Sequence, residues 1–180
     1  MIRFLVRALA LVAGLAALAV LLLLAMKLRP GEGRNDADVE IARPPEVVFA
    51  YLVEPAKLRQ WIGWLTDVRP EAPGPDGAPR DVWVMADPKM RQPMLLRNRF
   101  TALEPPRVLE VETGVPGTFL GTIRYELTAL DGGRTRLTYR SHFTYGPWLF
   151  KLLEPLVTPQ AQKKLVDDLG KLKAAAEAGG

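Results

Sequence analysis

The pattern that most restricts the fold is a series of five segments in which apolar and polar residues alternate. The segments read DVWVMAD, MLLRNRFTALEP, RVLEVETG, TFLGTIRYELTAL and RTRLTYRSHFTYG, and each is bounded by Pro, Gly or an Asp-Gly-Gly turn. Such alternation predicts half-buried strands, and the short turns predict that neighbouring strands run antiparallel. We therefore expect an antiparallel sheet with one apolar face.

A single long helical pattern at residues 147–177 follows these segments. Its apolar residues recur three or four positions apart and form one stripe: Ala161, Leu165, Leu169, Leu172 and Ala176. Pro155 and Pro159 are expected to break or kink its first half. Because a sheet with one apolar face needs a cover, this helix is predicted to lie against it, so that a curved sheet wraps around the helix.

The start of the domain combines a strand, two prolines and two short helices. Val39 and Ile41 alternate with polar residues, and Pro44-Pro45 then ends the predicted strand. Apolar residues at helical spacing follow in two pieces, and the second begins at Pro55. The apolar residues of these two pieces are Val47, Val48, Tyr51, Leu52, Leu58, Trp61, Ile62 and Leu65.

The first residues of the chain form an apolar run. No charged side chain occurs between Ala8 and Met26, and at about 1.5 Å per residue this run would cover roughly 28 Å as a helix. We expect a single-pass transmembrane helix at residues 1–28, in contact with the membrane through residues 4–26, with a weak preference for a non-cytoplasmic domain. A cleaved signal peptide is the alternative. A linker at residues 29–36 would join it to a domain at residues 37–177.

Charge and composition exclude several classes of function. The chain carries a formal net charge of +4, all of which lies within residues 1–34, so the rest of the chain is neutral. A neutral domain lacks the basic surface of a nucleic-acid-binding protein. With no cysteine and one histidine, the chain can form no disulfide and none of the usual zinc sites. We expect neither a metal nor a cofactor.

Three stretches carry a resemblance to a known superfamily. They read VEIARPPEVVFAYLVEPAKLRQWIGWL, GTIRYELTALDGGRTRLTYRSHF and PLVTPQAQKKLVDDLGKLKAAAE. Together they resemble the START-like, or SRPBCC, superfamily of polyketide cyclase/dehydrase and lipid-transport type, over about residues 37–177. The resemblance implies an α+β helix-grip fold, with a hydrophobic cavity between the sheet and the C-terminal helix.

The residues expected to line that cavity follow from alternation along the strands. Those predicted to project toward the helix, or to lie at its start, are Trp83, Met85, Tyr125, Tyr139, Tyr145 and Phe150. Trp61 and Trp64 would either cap one end of the cavity or belong to the core. Asn98 shares a strand face with Phe100, so an inward Phe100 would leave Asn98 in need of a buried partner or a ligand.

No catalytic set can be assembled from the sequence. His142 alternates with the aromatic residues of its strand and is expected on the solvent side, as are Glu110, Glu112 and Glu126. We expect binding of a hydrophobic small molecule or lipid in the cavity, and no catalysis. A cyclase/dehydrase-type enzyme and a non-catalytic interaction module with a filled core are the alternatives. A large apolar cavity would favour binding, a buried cluster of Asn, Arg and Tyr side chains the enzyme, and a filled core the interaction module.

Overall fold

The structure is a computed structural model, which describes residues 2–27, 31–88 and 90–179. Its helices are α1 (Ile2–Lys27), α2 (Pro45–Val53), α3 (Pro55–Trp61) and α4 (Trp148–Ala178). Its strands are β1 (Glu32–Ile41), β2 (Leu65–Glu71), β3 (Arg80–Met85), β4 (Met94–Glu104), β5 (Val108–Val115), β6 (Phe119–Leu130) and β7 (Arg134–Tyr145). The strands form one antiparallel sheet in the order β1-β7-β6-β5-β4-β3-β2.

Alternation divides the sheet into an inner face, which the helices cover, and an outer face. The cross-strand pairs Tyr125–Tyr139 and Leu127–Leu137 lie on the inner face and are buried. Between these two pairs, Glu126 lies opposite Thr138 on the outer face. The apolar residues of the inner face join those of α2, α3 and α4 in one core. The predicted α+β helix-grip architecture is confirmed.

Helix α4 runs through both Pro155 and Pro159 as one continuous helix. Its C-terminal half packs into the core through Leu169, Leu172 and Ala176. The Tyr51 hydroxyl of α2 donates a hydrogen bond to the Ala175 carbonyl at 2.9 Å. The second half of α4 is thus fixed to both the sheet and α2.

Strand β2 was not expected from the sequence. Leu65 belongs to the predicted second helical piece, but α3 ends at Trp61 and Leu65 begins β2. Strand β1 begins at Glu32, whereas the predicted linker covers residues 29–36. The division into residues 1–28, 29–36 and 37–177 stays a prediction.

The predicted location of the chain in a membrane is wrong. A crossing helix needs roughly 20 predominantly apolar residues in succession, and the predicted run is close to the lower limit of that length. Nowhere in residues 2–27, 31–88 and 90–179 does the structure have a helix with the length and hydropathy to span a bilayer. This finding contradicts the predicted single-pass transmembrane helix, and membrane contact through residues 4–26 is not shown.

Candidate functional site

Three polar side chains lie in a row across β3, β4 and β5 on the inner face. Asp81 pairs with Asn98, and Asn98 pairs with Thr113, so the antiparallel register brings all three together. The Asn98 amide donates a hydrogen bond to Asp81 Oδ1 at 2.7 Å, and the Trp83 indole N–H donates one to Asp81 Oδ2 at 3.2 Å. All three residues of the row are at least nine-tenths buried. We call Asp81, Trp83, Asn98 and Thr113 the inner polar cluster.

The pKa of the Asp81 carboxyl is raised above its ordinary value. Burial disfavours the charged form and outweighs the hydrogen bonds from Asn98 and Trp83, which favour it. No arginine or lysine among the residues described makes an ion pair with Asp81. The inner face therefore holds a carboxyl group that keeps its proton to a higher pH than an exposed aspartate does.

A small cavity of about 20 Å³ adjoins the inner polar cluster. Its walls are Leu52, Trp83, Asn98, Phe100, Leu109, Val111, Thr113, Ile123 and Tyr125. The volume corresponds to about one water molecule. The hydroxyl of Thr113 is buried and has no hydrogen-bond partner among the described residues. This cavity is far smaller than the hydrophobic cavity that the resemblance implies.

A second group of polar side chains lies on β1 and β7. The Ser141 hydroxyl donates a hydrogen bond to the Asn35 backbone carbonyl at 3.3 Å, while the Asn35 side-chain oxygen is buried with no partner in the described part of the chain.

Two buried tyrosines, Tyr125 of β6 and Tyr139 of β7, pack edge to face with their ring centroids 5.2 Å apart. Burial raises the pKa of Tyr139 to about 12 and that of Tyr125 well above its ordinary value. Both phenols are therefore neutral at physiological pH and available only as hydrogen-bonding groups.

A larger cavity of about 600 Å³ opens at the end of the sheet, and we call it the outer cleft. Its walls are residues 114–120 of the β5–β6 hairpin, residues 144–147 between β7 and α4, and Arg97. Gly114 is needed here, because a Cβ atom at this position would lie 2.5 Å from the Phe119 carbonyl oxygen. The cleft is mainly apolar, and Arg97 is the one charged residue among its described walls.

An aromatic group separates the outer cleft from the inner cavity. In β6, Gly121 lies between Phe119, which lines the cleft, and Ile123, which lines the cavity. The Phe143 ring occupies the space above Gly121, where a Cβ atom would approach it to 2.1 Å. Phe143 also packs edge to face against Phe119, with ring centroids 5.8 Å apart. A ligand in the cleft therefore meets these two rings before it can reach the inner polar cluster.

The predicted site residues are distributed over several environments. Trp83, Asn98 and Tyr125 line the inner cavity, and Tyr145 lines the outer cleft. Trp61, Met85 and Tyr139 are buried in the core, whereas Trp64 and Phe150 are exposed. The structure therefore brings some of the predicted residues together, and the role of each as a ligand contact stays a prediction.

The two tryptophans near α3 have opposite environments. Trp61 is 4% exposed, and its indole donates a hydrogen bond to the Tyr51 carbonyl at 2.8 Å. Trp64 lies beyond the end of α3 with φ of 74°, a conformation rare for a bulky residue. It is 42% exposed, with the Lys164 ammonium 4.7 Å from its ring centroid. Trp61 is thus a core residue, while Trp64 lies on the surface where α3 meets α4.

Sequence reasoning missed Asp81 and Thr113. Asp81 precedes Trp83 by two residues, so the alternation that placed Trp83 on the inner face also applies to Asp81. Thr113 is identified only when β4 and β5 are paired, because it lies opposite Asn98. His142 lies on the outer face as expected, with its Nε2 atom 3.3 Å from Glu32.

Several solved structures share this fold. An aromatase/cyclase, Zhui, from Streptomyces sp. R1128 matches 81% of this chain and 94% of its own, with 16% identity and a TM-score of 0.67. A conserved protein from Geobacillus kaustophilus matches 81% and 94% with 18% identity and a TM-score of 0.63. A protein from Thermus thermophilus matches 82% and 99% with 16% identity and a TM-score of 0.61. At these identities the likeness establishes the fold.

No curated protein matches the sequence. The model of one protein family matches residues 34–177, which is most of the chain and includes the whole sheet after the first two residues of β1. The match covers the inner polar cluster, the outer cleft and helix α4. The chain therefore belongs to the family described as polyketide cyclase / dehydrase and lipid transport.

Proposed function

We propose that this protein binds a hydrophobic small molecule or lipid, whose apolar part lies in the outer cleft. The observation that carries the proposal is the cleft itself. Its volume of about 600 Å³ lies within the ordinary range of small-molecule sites, roughly 300–1,000 Å³. Val115, Pro116, Phe119 and Leu120 supply apolar walls. The family description, which includes lipid transport, supports the same function.

The outer cleft is favoured over the interior because the inner cavity holds about one water. Burial of roughly 100 Å² of apolar ligand surface, at about 25 cal/mol per Å², would contribute about 2.5 kcal/mol before losses of translational and rotational freedom. Such burial is available in the cleft without any movement of the core. Deeper entry, toward the inner polar cluster, would require the rings of Phe119 and Phe143 to move.

The test is binding of a neutral apolar fluorophore, N-phenyl-1-naphthylamine, to the full-length chain. Leu120→Gln makes one wall of the cleft polar, and we expect the dissociation constant to rise about tenfold, since one buried leucine contributes roughly 1.5 kcal/mol. Leu103→Gln is the matched control, because Leu103 is a comparably exposed leucine outside the cleft. Equal affinities in all three proteins would refute binding in the cleft.

A second candidate function is an enzyme of the cyclase/dehydrase type, and the inner polar cluster favours it. A carboxyl group that retains its proton can act as a general acid toward a carbonyl oxygen. Burial raises the pKa of Asp81, which favours the protonated form, and the carboxyl is held in place by Asn98 and Trp83. Asp81→Asn would then abolish turnover of a poly-β-ketone substrate and leave its binding unchanged. Unaltered turnover in this variant would exclude Asp81 as the acid.

The interaction-module alternative is favoured by the small size of the inner cavity together with an apolar surface. The first half of α4 exposes Trp148, Leu149, Phe150, Leu153, Leu156 and Val157. Large exposed apolar patches are typical of interaction sites. Native mass spectrometry of the full-length chain, with organic extraction, distinguishes the functions. A co-purifying lipid supports ligand binding, whereas an unshifted mass after incubation with lipids refutes it and leaves the enzyme and the interaction module.

A further inference from the structure

We propose that the ligand of the outer cleft is an amphipathic anion, with its carboxylate or phosphate group bound by the Arg97 guanidinium and its apolar chain against Leu120. This inference rests on the proposed function of the cleft. It adds the class of ligand, a molecule with one anionic end and one apolar end. The argument depends on the charges around Arg97.

Arg97 differs from the other arginines of strands β4 to β7. Arg99 pairs with Asp76 and Glu112 at 2.7 and 2.8 Å, and Arg124 pairs with Glu110 and Glu126 at 3.0 and 2.8 Å. The remaining pairs in these strands are Arg134–Glu40, Arg136–Glu40 and Arg140–Glu126. Within the described residues, the Arg97 side chain makes neither an ion pair nor a hydrogen bond. It therefore lacks the counter-charge that its neighbours have.

The register explains why Arg97 is unpaired within the described chain. Its cross-strand partners on the outer face are Val82 and Gly114, neither of which carries a charge. The nearest residues of its own strand on that face are Leu95 and Arg99, and the carboxylates beside Arg99 already contact Arg99. The described walls of the cleft include no aspartate or glutamate. The rim of an apolar cleft thus carries one uncompensated positive charge.

This arrangement matches an amphipathic anion in both shape and charge. The guanidinium can donate two parallel hydrogen bonds to a carboxylate or phosphate, and such charge-assisted bonds are roughly twice as strong as neutral ones. From Arg97 the walls continue over Gly114 to Leu120, which lies two strands away on the same face. An anion at Arg97 would therefore place an attached chain along the apolar part of the cleft.

The experiment compares the binding of three ligands of equal chain length to the full-length chain by isothermal titration calorimetry, with the anions below their critical micelle concentrations and the alcohol below its solubility limit. Dodecanoate carries a carboxylate, dodecyl phosphate a phosphate, and dodecanol no charge. For Arg97→Met we expect the dissociation constants of both anions to rise about tenfold or more, and that of dodecanol to stay the same. A larger loss for one anion identifies which head group the site prefers.

Two further variants distinguish an effect of the Arg97 guanidinium from a general effect of net charge. Arg140→Met is the matched control, because Arg140 is an exposed arginine of the outer face that does not line the cleft. It should leave all three affinities unchanged. Arg97→Lys keeps the charge but not the paired donors, so its affinity for both anions should lie between those of the wild type and Arg97→Met.

The outcomes separate this inference from the proposed function. If all three ligands bind and Leu120→Gln weakens them equally, but Arg97→Met changes none, the cleft binds apolar ligands and the anion inference is wrong. If Arg140→Met weakens the anions as much as Arg97→Met does, the effect is that of net charge and the inference is also wrong. If none of the ligands binds the wild-type chain, the proposed function itself fails.

Discussion

The two faces of the sheet contain polar groups in opposite circumstances. On the outer face, Glu110 and Glu126 contact arginines and remain partly exposed. On the inner face, Asp81, Asn98 and Thr113 are buried among apolar residues, and no cation of the described chain faces the Asp81 carboxyl. Except at Arg97, the arginines of strands β4 to β7 pair with carboxylates of the described chain. The inner face leaves two buried oxygens, of Thr113 and Asn35, without partners in the described chain.

The pKa values show the same contrast. Hydrogen bonds from Arg124 lower the pKa of both Glu110 and Glu126, whereas burial raises that of Asp81. Exposed ion pairs contribute little to stability, because water already solvates their charges. Buried groups without partners reduce stability, and proteins retain them mainly where they serve a function. The buried polar groups of the inner face and the unpaired Arg97 of the outer face are therefore the polar groups of the sheet that are open to a functional role.

The largest expected difference between the two faces is in the free energy of unfolding when adjacent residues of β7 are replaced by alanine. Leu137 is fully buried on the inner face, and Leu137→Ala should lower the free energy of unfolding by about 2–5 kcal/mol. Thr138, on the outer face, donates a hydrogen bond to the Asp38 carboxylate. Thr138→Ala should therefore lower the free energy of unfolding by less than about 1 kcal/mol. Urea denaturation measures both. Similar losses would mean that the two faces are not different in packing.

A smaller difference is expected between neighbouring polar residues of β4. Asn98→Ala removes a donor from the buried Asp81 carboxyl, so we expect a loss of about 1–3 kcal/mol in the free energy of unfolding. Arg99→Met breaks exposed ion pairs and should cost under about 1 kcal/mol. If Arg99→Met proves the more destabilising of the two by chemical denaturation, the outer ion pairs form a cooperative network.

The smallest effect is a difference in how stability depends on pH. Because the pKa of Asp81 is raised in the folded state above its ordinary value of 3.8, its stabilising contribution is complete below that value and is lost as pH rises through the folded pKa. For Glu126 the folded pKa is lowered from 4.5, so its contribution is present above that value and is lost as pH falls through the folded pKa.

Two variants should therefore change the pH profile in opposite directions. Relative to the wild type, Asp81→Asn should gain stability as pH rises above 3.8, whereas Glu126→Gln should lose stability as pH rises through the lowered pKa toward 4.5. Urea midpoints measured between about pH 3 and 7, a range that spans the ordinary carboxyl pKa values, would show this. Parallel profiles for the two variants would contradict opposite pKa shifts on the two faces.

The sequence predicted features that depend on local periodicity. Alternation in β6 and β7 indicated the sheet, and the apolar stripe at Leu165, Leu169 and Leu172 indicated α4. The inward position of Asn98 also followed from alternation, since Asn98 lines the inner cavity together with Phe100. Each of these features is encoded by residues within one segment.

Other features depend on contacts between distant residues or on backbone conformation. The Asp81–Asn98 hydrogen bond joins residues 17 positions apart and requires the register of β3 against β4. Strand β2 contains Pro70 and a register shift near Leu65, which interrupts the alternation by which strands are identified. The size of the inner cavity depends on how side chains from many segments fill the same space, so no single pattern indicates it.

The hydrogen bond from Trp83 to Asp81 gives the protein an intrinsic spectroscopic reporter. Indole emission depends on the electric field across the ring, and the charge on the Asp81 carboxyl changes that field when its proton leaves. Trp61, which is buried and bonded to a backbone carbonyl, has no titrating neighbour of this kind among its described hydrogen-bond partners. The ionisation of a buried acid can therefore be followed by fluorescence in the unlabelled chain, with Trp83→Phe as the blank.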